Sequence, residues 1–301
     1  MRRIWEDEDT EAILFVDAAN AFNALNRKAA LHNVQYTCPE LSTFVKNIYN
    51  GEAERFLSNS TVIIYSREGT TQGGPELMGF YVASTTVLTN PDPDCAVKKV
   101  FYADDGNAGG KLTPLHSWWT DFKLSGPPHG YFPEASKSWL LVKPAHEERA
   151  RELFTDVNIT VEGRKFLGSY IGTAEATEAF VNTRIGEWEK VINALAAIAT
   201  SEPQLAYSAY VYGTSRRWQF LCRTTPGIAN AMKGIETRIR NNLIPAIMGS
   251  NEISDNLRKI LCLPARLGGM GFANPTEEAL LEYENSKMIT AQLPSAVATY
   301  D

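Results

Sequence analysis

Apolar and polar positions along this 301-residue chain change their period near residue 175. Ala12 to Val16 (AILFV) is an uninterrupted apolar run that stops at Asp17, a pattern that predicts a short buried strand. Residues 19–34 are alanine-rich and compatible with a helix. Pro39 opens a second helix, on which Leu41, Phe44, Val45, Ile48 and Tyr49 share one face and Gly51 suits the C-terminal cap. Residues 54–66 read as two strands around Ser-Asn-Ser, and residues 67–74 as a loop. Pro75 starts an apolar helix that the loop NPDPD ends. Residues 97–110 predict a strand, a turn at Asp104-Asp105 and a second extended piece. A helix near 114–124, a Pro/Gly loop over 125–133, a strand at Trp139–Val142, a helix over 146–157 and a hairpin over 159–172 follow. From about Glu175 the segments are long and helix-periodic. The expected fold is therefore α+β over residues 1–173, with an antiparallel sheet flanked by helices, and all-helical over residues 174–301.

Charge changes this picture in one respect. The chain has 29 Lys and Arg against 35 Asp and Glu, a net charge of -6, which argues against a protein that wraps nucleic acid nonspecifically. The imbalance is local, however. Residues 181–270 carry eleven Lys/Arg against six Asp/Glu, so a basic surface is compatible with an acidic whole. The Arg-bearing helices at 184–240, with Tyr212 and Trp218 nearby, suit either a solvated face or the tracking of a duplex backbone. Four scattered cysteines (Cys38, Cys95, Cys222 and Cys262) form no CxxC pair, which disfavours a thiolate zinc site and fits a reducing compartment. The start, MRRIWEDEDTE, is acidic where a signal peptide is apolar, and Ala194 to Ala199 is too short to span a bilayer. An intracellular protein of cytoplasm or nucleus, away from membranes, is expected.

The chemistry concentrates in VFYADDGNAGG, residues 100–110. Adjacent carboxylates repel, and partial burial increases the cost. One reading is a tight turn, which Asp, Asn and Gly favour. The other is a strand-turn-strand that presents carboxylates to a cation. Asp17 also ends a predicted strand, although it suits a helix cap as well. If the strands are neighbours, Asp17, Asp104 and Asp105 converge at one edge of a sheet. Hard oxygen ligands of this kind suit Mg²⁺ or Mn²⁺ together with substrate phosphates.

The order of these pieces resembles the palm of a reverse transcriptase of the retrotransposon type. Asp17-x-x-x-Ala21-Phe22 comes first, then Gln72-Gly73-Gly74-Pro75, then Phe101-Tyr102-Ala103-Asp104-Asp105. Lys137 in FPEASKSW and the block FLGSYIG (166–172) resemble the two later blocks of the family, and LPARLGGMGF (263–272) more loosely resembles segments that follow the polymerase. The resemblance spans about Ile13 to Gly172. It implies an RNA-directed DNA polymerase that copies an RNA template from a DNA primer with deoxynucleoside triphosphates. It implies metal ligation by Asp17 and Asp104, supported by Asp105, with the backbone of Ala18 within reach. Phe22 would crowd the sugar 2′ position, although an aromatic there also suits plain core. Gln72 and Gly73 would sit against the incoming nucleotide and template, or form a mere helix-entry loop. Lys137 would protonate the departing pyrophosphate, a general-acid role.

An RNA-directed RNA polymerase shares this palm logic. It fits less well, because Ala103 stands where those enzymes carry Gly and bulky Phe22 stands where the 2′-hydroxyl must be accepted. The family also has a basic fingers region ahead of the first aspartate. Here only sixteen residues precede Asp17, and five of them are acidic against two basic, so the expectation is a palm lacking most of the fingers, followed by a thumb-like region. An inactive palm remnant that folds and at most binds nucleic acid is the alternative.

Overall fold

The computed structural model describes residues 1–49, 51–70, 77–89, 96–250 and 252–293. Gln72 and Gly73 lie outside them. The chain divides into two compact units, Met1–Glu162 and Gly163–Asp301.

The first unit is α+β. In chain order it contains α1 (Arg2–Trp5), β1 (Ala12–Val16), α2 (Ala21–Ala24), α3 (Arg27–Thr37), α4 (Pro39–Tyr49), β2 (Ala53–Phe56), β3 (Ile63–Ser66), α5 (Leu77–Thr89), β4 (Val97–Tyr102), β5 (Asp105–Gly110), α6 (Leu112–Ser125), β6 (Trp139–Val142), α7 (Glu147–Leu153) and β7 (Asn158–Thr160). Five strands form one sheet in the order β4-β5-β1-β6-β7, and β2-β3 is a separate hairpin. All five residues of β1 are buried because it is the central strand, covered on both faces. Ala12, Leu14 and Val16 alternate onto the face that meets Leu112, Leu115, Trp119 and Phe122 of α6. Burial of each large side chain in this layer contributes roughly 1.5–3 kcal/mol. A second cluster joins α3, α4 and α5 through Val34, Val45, Tyr49, Phe80 and Tyr81.

The sheet departs from expectation at one edge. β6 and β7 run parallel, so the sheet is mixed rather than antiparallel. Residues 159–172 are correspondingly not a single hairpin: Asn158–Thr160 joins this sheet, and the hairpin is β8 (Gly163–Phe166) with β9 (Ser169–Gly172) in the second unit. The division thus falls at 162/163, ahead of the boundary expected at 173, because the hairpin packs with the helices that follow it.

β5 has an unusual sequence for a buried strand, Asp-Gly-Asn-Ala-Gly-Gly. Close packing accounts for it. A Cβ at Gly109 would lie 2.5 Å from Ile4 Cγ2, so the bare backbone is what lets α1 cover the sheet.

After its hairpin the second unit is helical: α8 (Ala174–Ala199), α9 (Pro203–Tyr212), α10 (Gln219–Thr224), α11 (Met232–Arg238), α12 (Ile244–Met248), α13 (Asp255–Cys262) and α14 (Pro275–Thr290). Its core gathers Trp188, Ile192, Tyr210, Trp218, Met232, Ile239 and Phe272. Trp218 is 1% exposed and packs its ring against Trp188, which removes it from any nucleic-acid surface; Tyr212 is exposed. Residues 263–272 close over the core. Arg258 donates from α13 to the carbonyls of Phe272 and Ala273 while pairing with Glu236.

Candidate active site

Strand register brings the three aspartate-bearing segments to one end of the sheet. β4 and β5 pair with Tyr102 opposite Asp105, which leaves Ala103-Asp104 as a two-residue turn. β5 pairs in turn with β1, with Gly106 opposite Val16. One step further along the same antiparallel register sets Asp17 level with Asp105. The carboxylate segments therefore share one end of neighbouring strands, as the sequence pattern expects. Asp17 does not cap a helix, since the N-cap of α2 is Asn20. The turn is tight enough to hold Ala103 at φ 55°, a left-handed conformation that costs a residue with a Cβ about 1–2 kcal/mol.

All three aspartates are partly buried. Among the described residues no Lys or Arg pairs with any of them. The carboxyl of Asp105 is pushed above its ordinary range, first by burial, then by the charges of Asp104 and Asp17. That mutual repulsion between hard oxygen donors is what a divalent cation relieves, so the donor chemistry fits Mg²⁺ or Mn²⁺. The side chains as they stand do not form a finished ligand set: among the described residues no three His, Cys, Asp or Glu groups are gathered closely enough to hold a metal ion.

The loop over 126–138 braces both aspartate segments. Asp17 N–H donates to Ser138 Oγ (3.2 Å), and Glu134 N–H donates to the Asp17 carbonyl (2.8 Å). Ala18 makes a bridge with Pro133, and Ala19 N–H donates to the Phe132 carbonyl (2.9 Å). On the other side, Tyr131 Oη donates to the Asp104 carbonyl (2.7 Å). Burial lifts the phenols of both Tyr131 and Tyr81, and the charge of Asp104 adds to each.

The remaining expected site residues fall around this frame. Phe22 is half-buried, with its ring on Tyr81 at a centroid distance of 4.6 Å and its carbonyl accepting from Thr70 N–H (2.7 Å). Lys137 is exposed on a 3₁₀ turn (Ala135–Lys137) within the loop that braces Asp17, and among the described residues it pairs with none of the three aspartates. Sequence reasoning missed Tyr131, Ser138 and Tyr81. No local signal distinguishes them, because each acts through a partner at least 20 residues distant.

No family model matches the chain, and no curated protein matches it.

Proposed function

We propose that the first unit is the palm of a nucleotidyltransferase that extends a DNA primer on an RNA template with deoxynucleoside triphosphates. The observation that carries this reading is the register that brings Asp17 level with the Asp104-Asp105 turn at one end of β1 and β5. In this reading Asp17 and Asp104 hold the divalent ions and Asp105 supports them. The bound ions would supply the charge neutralisation that in-line attack of a primer 3′-hydroxyl on a triphosphate requires. Phe22, seated on Tyr81, stands against the nucleotide sugar and disfavours a 2′-hydroxyl. The resemblance assigns Gln72 and Gly73, outside the described residues, to the incoming nucleotide and template, and in this reading Lys137 delivers a proton to the departing pyrophosphate. The resemblance of the ordered motifs supports these roles.

A second reading, a palm that binds nucleic acid without turnover, is favoured by the carboxylates not being gathered into a ligand set. Primer extension on an RNA template with deoxynucleotides and Mg²⁺ separates the two. Extension by the chain that disappears in Asp104→Asn supports the polymerase. Binding of primer-template without extension, equal in the two proteins, supports the second reading.

A further inference from the structure

We propose that Tyr131 is a positioning residue that sets where the Asp104 and Asp105 carboxylates stand relative to Asp17; its importance for metal binding rests on the nucleotidyltransferase reading above. The argument starts from the turn. Ala103-Asp104 is a two-residue connection with Ala103 in a strained left-handed conformation, so the turn needs an external tether to keep one geometry. The phenol of Tyr131 provides one, at 2.7 Å from the Asp104 carbonyl.

Everything behind that hydroxyl is fixed. Tyr131 is 2% exposed, and its ring packs on Phe122 at 5.1 Å. Its backbone N–H donates to the Gly126 carbonyl (3.1 Å). The loop is fastened further by Asn26, which donates from its backbone to His129 and from its side chain to Pro128, both at 3.1 Å. The same loop holds Asp17 through Glu134 and Ser138. One segment thus holds both aspartate segments, and the Tyr131 hydroxyl is its side-chain link to the turn. Gly106 leaves room for that link: a Cβ there would sit 3.0 Å from Tyr131 Oη and 2.9 Å from Phe101 Cε1.

The test uses the full chain, Tyr131→Phe, which keeps the ring and its packing, and Gly106→Ala, which crowds the hydroxyl without removing it. Amide hydrogen exchange is measured over residues 102–107, with β1 and α6 as internal references. Mn²⁺ affinity is measured by electron paramagnetic resonance. Loss of one hydrogen bond predicts exchange in the turn faster by about 5-fold in both variants, with β1 and α6 unchanged. Outer-shell support of this kind predicts Mn²⁺ affinity weaker by about 10-fold. Turn exchange that stays at the wild-type rate in Tyr131→Phe, or rises equally in the reference elements, overturns the positioning role. Mn²⁺ bound equally well by wild type and Tyr131→Phe overturns its link to the carboxylates. If the turn loosens as expected but wild type binds no Mn²⁺, the metal reading falls and the positioning role stands.

Discussion

The ring of Phe22 rests on the ring of Tyr81, with centroids 4.6 Å apart and planes inclined by 44°. Tyr81 is 1% exposed and lies within electrostatic reach of Asp104. Phe22 is therefore seated on a rigid base beside the aspartate turn, held also by its carbonyl's bond from Thr70. Phe22→Ala is expected to raise ribonucleotide incorporation relative to deoxynucleotide in a primer-extension assay. Because the ring is half-buried, the accompanying loss of stability should be about 1–2 kcal/mol, below the ~3–5 kcal/mol typical of a fully buried Phe. Unchanged sugar discrimination with that stability loss would make Phe22 a packing residue.

In the second unit the decisive contact is Arg258 with Glu236. The guanidinium meets the carboxylate with both forks, Nε to Oε1 at 2.7 Å and a terminal nitrogen to Oε2 at 2.6 Å. The same side chain holds the backbone of Phe272 and Ala273. Breaking such a pair from one side strands a buried charge and typically costs about 3–5 kcal/mol. Arg258→Met should lose less than Glu236→Met, because the second variant leaves the more deeply buried charge, the guanidinium at 6% exposure against 17% for the carboxylate, without its counter-ion. Urea unfolding of the two variants measures the difference, and the opposite order would show that the backbone bonds of Arg258 matter more than the ion pair.

The parts of the fold that the sequence made legible are those encoded by local pattern. The apolar run of β1 ending at Asp17, the amphipathic α4 and the Trp139–Val142 strand are all where periodicity places them. The three aspartates were legible for the same reason, each sitting at the end of an extended run. What stayed hidden depends on contacts distant in sequence. The extended piece after the Asp104-Asp105 turn was legible as β5, but its burial was not, because that depends on Ile4 and Tyr131 approaching its glycines. The parallel pairing of β7 with β6 is tertiary, and nothing in Asn158–Thr160 distinguishes it from the first strand of a hairpin. Trp218 sits beside two exposed arginines in sequence yet points into the core.

The strain at Ala103 predicts a stabilising substitution. At φ 55° an alanine Cβ crowds its own backbone, and glycine does not. Glycine also gains entropy in the unfolded chain, which offsets part of the relief. Ala103→Gly should therefore stabilise the protein by a net of about 0.5–1 kcal/mol, read as a higher urea midpoint with an unchanged slope. A lower midpoint would mean that the Ala103 methyl makes contacts worth more than the strain.

Asp105 gives a pH dependence with a definite sign. Its carboxyl is raised above the ordinary 3.8, first by burial and then by Asp104 and Asp17. Between 3.8 and the raised folded value the native chain holds a proton that the unfolded chain has released. Stability therefore falls as pH rises through that window, and above it the charged Asp105 weakens the metal-free fold. Asp105→Asn removes the penalty. It should raise the melting temperature of the metal-free chain at pH 7 and have almost no such effect below pH 3.8. Added Mn²⁺ should raise the melting temperature of wild type at pH 7 by neutralising the same cluster, and should raise that of Asp104→Asn far less. Thermal unfolding across pH, with and without Mn²⁺, measures all of this. An Asp105→Asn protein no more stable than wild type at pH 7 would show that neither burial nor the neighbouring aspartates penalise a charged Asp105 in the folded chain.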